Sequence, residues 1–144
     1  MRDRRSDRPA GKLEIYIQPH PLNRRMSFRD TMNALDDVRH STPMSSEFYV
    51  EAVAFQLAAI QELERRAFSV QAMHPIKDKR ARLRVAARYI KNGTVKFPRT
   101  GCEQLLNQLF GFGSEKHDDL VDALVYLILG VVGEGVEQQR GHFV

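Results

Sequence analysis

The alternation of short β-rich segments with longer helical segments is the feature that most constrains the fold of this chain. The segment Phe-Tyr-Val-Glu-Ala-Val at 48–53 predicts a buried strand, because aromatic and β-branched residues dominate it. Helical spacing of apolar residues follows from about 55 to 66, and a second short strand covers 70–73. Over the whole chain the predicted order is β-α-β-α-β-α-(β)-α-α. This order predicts an α/β fold, in which helices pack against a sheet.

Local signals place the ends of the other elements. Alternating apolar residues in 13–17 predict a first strand, and Ser27 followed by Asp30 predicts the start of a helix. Asp78 precedes a predicted helix over 79–91, which ends at the turn signal Asn92-Gly93. Further helices are predicted over 103–110 and about 116–132.

Length and composition exclude several classes of protein. With 144 residues, 42% of them hydrophobic, the chain has the size of one domain with a modest core. A single cysteine, Cys102, excludes an internal disulfide framework and a cysteine-only zinc site. The basic N-terminus leads into no apolar segment, and the longest apolar stretch, 123–132, is about half of a membrane span of roughly 20 residues. We therefore expect a soluble intracellular protein, with a disordered basic leader at 1–11 and a mobile tail at 133–144.

Positive charge is concentrated in one segment. The net charge is +4, yet residues 77–99 contain nine basic residues and one acidic residue. Such clustering is typical of proteins that bind nucleic-acid phosphates, and a solvated helix face is the alternative. Aromatic residues are scarce there, so contact with the backbone is favoured over base reading. The candidate DNA-binding residues are Lys77, Lys79, Arg80, Arg82, Arg84 and Arg88.

Three carboxylates are close together in the last predicted helix. At about 100° per residue, Asp118, Asp119 and Asp122 share an arc opposite the main apolar face. Carboxylate oxygens suit hard cations such as Mg²⁺ or Mn²⁺. The alternative is an acidic first turn that stabilises the helix dipole, with Asp118 as the cap.

Glu51 is a fourth candidate, because it lies inside the β-rich run 48–53. A buried carboxylate is costly unless it is paired or bound to metal, and a solvent-facing Glu51 on an alternating strand is the alternative. A strand glutamate and helix aspartates on either side of a basic helix suit two-metal phosphodiester hydrolysis. In that chemistry two ions about 4 Å apart activate water and stabilise the leaving oxygen.

Four segments in this order resemble the C-terminal nuclease domain of the phage terminase large subunit, the DNA-packaging motor. They are Phe48-Tyr-Val-Glu-Ala-Val-Ala-Phe-Gln, Asp78-Lys-Arg-Ala-Arg-Leu, Gly93-Thr-Val-Lys-Phe-Pro and His117-Asp-Asp-Leu-Val-Asp-Ala-Leu.

The resemblance implies an RNase H-like domain over residues 12–132, built as an incomplete mixed sheet flanked by helices. It implies metal-dependent cleavage of concatemeric viral DNA during packaging, with two Mg²⁺ or Mn²⁺ ions. Glu51 then corresponds to the second acidic ligand, and Asp118, Asp119 and Asp122 to the final acidic group. The catalytic residues implied are Glu51, Asp119 and Asp122. The implied partners are double-stranded DNA, the portal protein and the small terminase subunit, in the host cell cytoplasm and not in the mature virion.

The sequence departs from that family pattern at its start. Members have a further aspartate on a first central strand, and no strand of this kind precedes Leu13. No G-x-x-x-x-G-K-[ST] loop of an ATPase is present either. We therefore expect a truncated domain without its first strands and without the N-terminal ATPase part. The alternative function is a non-catalytic fragment that binds DNA or packaging partners without cutting, and a different RNase H-like nuclease such as a resolvase is a further alternative.

Overall fold

The structure is a computed structural model, and it describes residues 13–42, 46–74, 78–111 and 119–133. The predicted leader and the tail beyond Gly133 lie outside the described residues. The strands are β1 (Ile15–Tyr16), β2 (Glu47–Glu51), β3 (Ser69–Met73) and β4 (Val95–Lys96). The helices are α1 (Phe28–Ser41), α2 (Ala54–Arg65), α3 (Lys79–Lys91), α4 (Glu103–Phe110) and α5 (Asp119–Val132). The predicted order of elements is confirmed.

Side chains next to the helix ends explain why these boundaries were predictable. The Ser27 hydroxyl accepts a hydrogen bond from the Asp30 backbone N–H, 3.1 Å away, and so caps α1. The Asp78 carboxylate accepts from the Ala81 N–H at 2.9 Å and caps α3 in the same way. Helix α3 ends where Gly93 takes a φ of +81°, a conformation that glycine adopts at little cost.

The strands form two separate pairs. Strands β2 and β3 are parallel, with Glu47 opposite Ser69 and Glu51 opposite Met73. Strands β1 and β4 are also parallel, with Ile15 opposite Val95. The predicted incomplete mixed sheet is confirmed only in part: among the described residues the strands form two separate two-stranded sheets, and both are parallel. The physical reason is connectivity, because helical crossovers return the chain in the same direction between the paired strands.

Helix α5 lies at the centre of the larger core. Half of its fourteen residues are buried, among them Val121, Leu124 and Ile128, and it packs against α3, α4, β2 and β3. The sequence predicted one main apolar face. The structure instead buries α5 on several sides, because strands and two helices surround it. A second cluster, formed by Met32, Leu63 and Phe68, lies between α1, α2 and the other face of the β2–β3 pair.

A glycine lets β2 approach α5 closely. A Cβ atom at Gly130 would overlap the ring of Tyr49, so only a hydrogen at that position leaves room for the aromatic side chain. Side chains alternate along a strand, and Tyr49 therefore shares its face of β2 with Glu51. The close packing fixes that face against α5.

In the described part of the chain, no helix is long and apolar enough to cross a membrane.

Candidate functional site

Glu51 is the last residue of β2 and points toward α5. Its Oε1 accepts a hydrogen bond from the Tyr126 hydroxyl at 2.9 Å, and the residue is half-buried. The solvent-facing alternative for Glu51 is therefore not what the structure has. The carboxylate is held by a partner from the same helix that carries the aspartates.

Asp122 lies in the first turn of α5, close to a cation from α3. Its Oδ2 is 2.9 Å from Nζ of Lys79, and the Asp122 side chain is only 27% exposed. Asp122 and Tyr126 are four residues apart, which puts them on the same side of α5. Glu51 and Asp122 come from distant parts of the sequence, and the structure brings both close enough to Tyr126 to act on its hydroxyl.

Tyr126 connects these charges. Burial raises the pKa of Tyr126 to about 12, and the hydrogen bond to Glu51 and the negative charges of Glu51 and Asp122 act in the same direction. Arg82 opposes them, and its guanidinium carbon lies 5.3 Å from the centre of the Tyr126 ring. At neutral pH the tyrosine is protonated, so its hydroxyl remains a donor to Glu51.

Gln108 of α4 fixes the start of α5. Its side chain is buried, and its Oε1 accepts a hydrogen bond from the Leu120 backbone N–H at 3.0 Å. This amide is one of the unpaired donors of the first helical turn, so Gln108 acts as a cap from another helix. The same turn carries Asp119 and Asp122, whose positions therefore depend on Gln108.

Tyr126 and Gln108 were not among the site residues predicted from the sequence. A signal existed for each: Tyr126 follows Asp122 by one helical turn, and Gln108 shares the apolar face of α4 with Leu105. Neither signal predicts what the side chain does, because the partner of each, Glu51 for Tyr126 and Leu120 for Gln108, belongs to a different element.

The other predicted acidic ligands are placed differently. Asp119 is the first residue of α5 and is exposed. Asp118 lies outside the described residues, as does the candidate DNA-binding residue Lys77. Among the residues that the structure describes, no group of three or more His, Cys, Asp or Glu side chains is arranged to hold a metal ion.

Helix α3 presents two basic faces. Lys79 and Arg82 are half-buried against the first half of α5. The other face is an exposed stripe at spacings of three and four residues, which is one side of a helix. We call it the outer stripe, and it consists of Arg80, Arg84, Arg88 and Lys91. DNA binding by either face remains a prediction.

A comparison with known protein families decides where the chain belongs. The sequence profile described as a terminase RNase H-like domain matches residues 6–130, which is most of the chain. The chain belongs to the terminase RNase H-like domain family. The predicted resemblance is thus confirmed. No curated protein and no solved structure matches the chain.

Membership of the terminase RNase H-like family indicates a nuclease role within a terminase. The α/β arrangement of parallel strand pairs and five described helices is consistent with such a domain. In this terminase domain the β2 glutamate and the α5 aspartate meet at Tyr126, and two cations of α3 lie beside them.

Proposed function

We propose that this chain is the metal-dependent endonuclease portion of a viral terminase large subunit, and that it cuts concatemeric DNA during genome packaging in the host cell cytoplasm. The observation that carries the proposal is the convergence of Glu51 and Asp122 on Tyr126. A purely structural ion pair requires one carboxylate and one cation. Here two half-buried carboxylates from separate elements lie beside a basic helix, and such clustering is typical of functional sites.

The donor chemistry of these residues fits a hard divalent cation. Both candidates offer carboxylate oxygens, and Oδ2 of Asp122 already has a cationic neighbour, the Lys79 ammonium at 2.9 Å. Glu51 and Asp122 would hold Mg²⁺ or Mn²⁺, with Asp119 or Asp118 as a further ligand to one of two ions. When bound, such ions activate water and stabilise the charge that develops on the phosphate.

The remaining side chains position the carboxylates and the substrate. The Tyr126 hydroxyl donates to Glu51 and fixes that carboxylate at the end of β2. Most of the outer stripe of α3 (Arg80, Arg84 and Arg88) was among the predicted DNA-binding residues, and its exposure suits contact with the phosphates of double-stranded DNA. The portal protein and the small terminase subunit are the proposed protein partners.

Plasmid cleavage tests the proposal. Purified protein is incubated with supercoiled plasmid and Mn²⁺, Mg²⁺ or EDTA, and Asp122→Asn and Glu51→Gln are compared with Glu64→Gln, an exposed residue of α2. We expect metal-dependent nicking that both site variants reduce at least about tenfold, because even outer-shell partners of a metal cost about 10–100-fold when replaced. Nicking that is equal in all four proteins would overturn these assignments.

A non-catalytic role in binding DNA or packaging partners is the second candidate. One observation favours it: Glu51 and Asp122 already contact protein donors, the Tyr126 hydroxyl and the Lys79 ammonium. In that case the folded protein would bind DNA with strong salt dependence and would not cut it with either metal.

A further inference from the structure

Lys79 is held close to Asp122 by the way in which α3 begins. It is the first residue of α3, and the Asp78 side chain fixes this turn by accepting a hydrogen bond from the Ala81 N–H at 2.9 Å. The Lys79 ammonium then lies 2.9 Å from Oδ2 of Asp122. A positive group of the protein is thus placed beside a carboxylate that the proposed function assigns to a metal ion.

Among the described residues, two negative and two positive side chains lie in this part of the protein. Glu51, Asp122 and Arg82 act on Tyr126, and Lys79 forms an ion pair with Asp122. A divalent ion added to this group would meet two cations at short range. Repulsion between charges grows as their separation falls, so the ion binds more tightly if one of the cations moves away.

Lys79 is the cation that can leave. Its side chain is 40% exposed and ends in a single ammonium on a flexible stem, which water solvates well. Arg82, in contrast, lies over the Tyr126 ring, where its flat guanidinium makes a favourable contact with the aromatic face. An ammonium that leaves Asp122 gives up a partly exposed ion pair, and pairs of this kind contribute little to stability.

We propose that Lys79 is a built-in counter-cation, which neutralises Asp122 in the metal-free protein and is displaced when a divalent ion binds. This inference rests on the proposed function, because it takes Glu51 and Asp122 as the metal ligands.

Calorimetric titration with Mn²⁺ at low salt tests this role. The proteins compared are the wild type, Lys79→Met, Lys79→Arg and Lys91→Met, which removes a lysine charge from the exposed far end of α3. We expect Lys79→Met to bind Mn²⁺ about two- to fivefold more tightly than Lys91→Met, which is the range that a partly exposed ion pair provides. Lys79→Arg keeps a cation that pairs with a carboxylate at least as well, so it should bind Mn²⁺ no more tightly than the wild type.

Thermal melting gives a second readout that does not depend on cleavage. In EDTA, Lys79→Met should melt at a lower temperature than the wild type, because the ion pair between Lys79 and Asp122 is lost. Saturating Mn²⁺ should raise its melting temperature by more than it raises that of the wild type. Lys79→Gln serves the same comparison if the methionine variant does not melt cooperatively.

The outcomes separate this inference from the proposed function. If Asp122→Asn weakens Mn²⁺ binding but Lys79→Met binds no more tightly than Lys91→Met, the counter-cation role is wrong and the metal site stands. If the wild type and every variant fail to bind Mn²⁺, both the metal site and the role of Lys79 are contradicted.

Discussion

At the scale of single residues, Tyr126 is the side chain that interacts with both candidate metal ligands, Glu51 and Asp122. It is buried, it donates to Glu51 at 2.9 Å, and it follows Asp122 by one helical turn. The sequence predicted Glu51 and Asp122 as candidates because each is a charge within an apolar stretch. It could not predict Tyr126, since a tyrosine in an apolar helix is compatible with simple core packing.

Replacing Tyr126 by phenylalanine should destabilise the protein in a pH-dependent way. Loss of the hydrogen bond should lower the free energy of unfolding by about 1 kcal/mol at neutral pH. The pKa of Tyr126 is raised from 10.0 to about 12, so folding favours the protonated form. The part of the free energy of unfolding that comes from this pKa shift is complete below pH 10 and is lost as the pH rises toward about 12.

Urea denaturation of wild type and Tyr126→Phe between neutral pH and pH 12 checks this prediction. Between about pH 10 and pH 12, the free energy of unfolding should fall less for Tyr126→Phe than for the wild type. Tyr16→Phe, which removes an exposed hydroxyl, is the control and should follow the wild type. Parallel curves for Tyr126→Phe and the wild type would contradict the assigned cause of the shift.

At the scale of elements, the start of α5 depends on α4. The Gln108 side chain accepts the Leu120 N–H at 3.0 Å and thereby holds the turn that carries Asp122. Helix bounds such as those of α3 could be predicted, because their caps are adjacent in sequence. This cap could not, because donor and acceptor belong to different helices.

Gln108→Met keeps the length of the side chain and removes the acceptor. We expect a loss of about 1–2 kcal/mol in the free energy of unfolding, since a helix cap is lost and a buried donor is left unpaired. The matched control is Gln104→Met, an exposed position of the same helix, which should change stability little. Urea denaturation measures both, and faster hydrogen exchange at the Leu120 amide is the specific sign. Equal stability of the two variants would contradict the capping role.

Helices α1 and α2 are joined by charged side chains on the side away from α5. Asp36 accepts hydrogen bonds from Arg39 at 3.1 Å and from Arg66 at 2.9 Å. Arg39 also donates to the Arg66 carbonyl and lies 3.8 Å from the centre of the Phe68 ring. These partly exposed contacts fix the two helices over the second core cluster.

Asp36→Asn should lower the free energy of unfolding by about 0.5–1 kcal/mol, the upper range for partly exposed ion pairs. The neighbouring Asp37→Asn is the control, because Asp37 is exposed on the same helix. Thermal melting at low and high salt checks the prediction: the difference between the variants should shrink as salt screens the pairs. A difference that salt leaves unchanged would mean that packing, and not charge, is what Asp36 contributes.

At the scale of the whole molecule, the sequence predicted the order of elements but not how the strands pair. Caps, turns and periodicity are local, and they placed α3 and α4 at the bounds that the structure has. The pairing of β1 with β4 joins residues about 80 positions apart, and nothing near Ile15 or Val95 specifies it. The burial of α5 on several sides could not be predicted for the same reason: it depends on which distant elements pack around that helix.

The inward orientation of part of the basic helix is also a property of the whole molecule. Local charge density predicted candidate DNA-binding residues on α3, among them Lys79, Arg80 and Arg82, and did not distinguish the faces of that helix. Packing against α5 turns Lys79 and Arg82 toward the carboxylates and leaves the outer stripe exposed. The function proposed for α3 is therefore divided between its two faces.

The central claim is that a strand glutamate and a helix aspartate form one metal site. Paramagnetic broadening of backbone amide signals by substoichiometric Mn²⁺ tests it most directly, in a protein whose size suits solution NMR. We expect signals around Glu51 and around Asp122 to broaden together at the lowest Mn²⁺ ratios, and Asp122→Asn to abolish both effects. Broadening confined to the start of α5, with Glu51 unaffected, would contradict it.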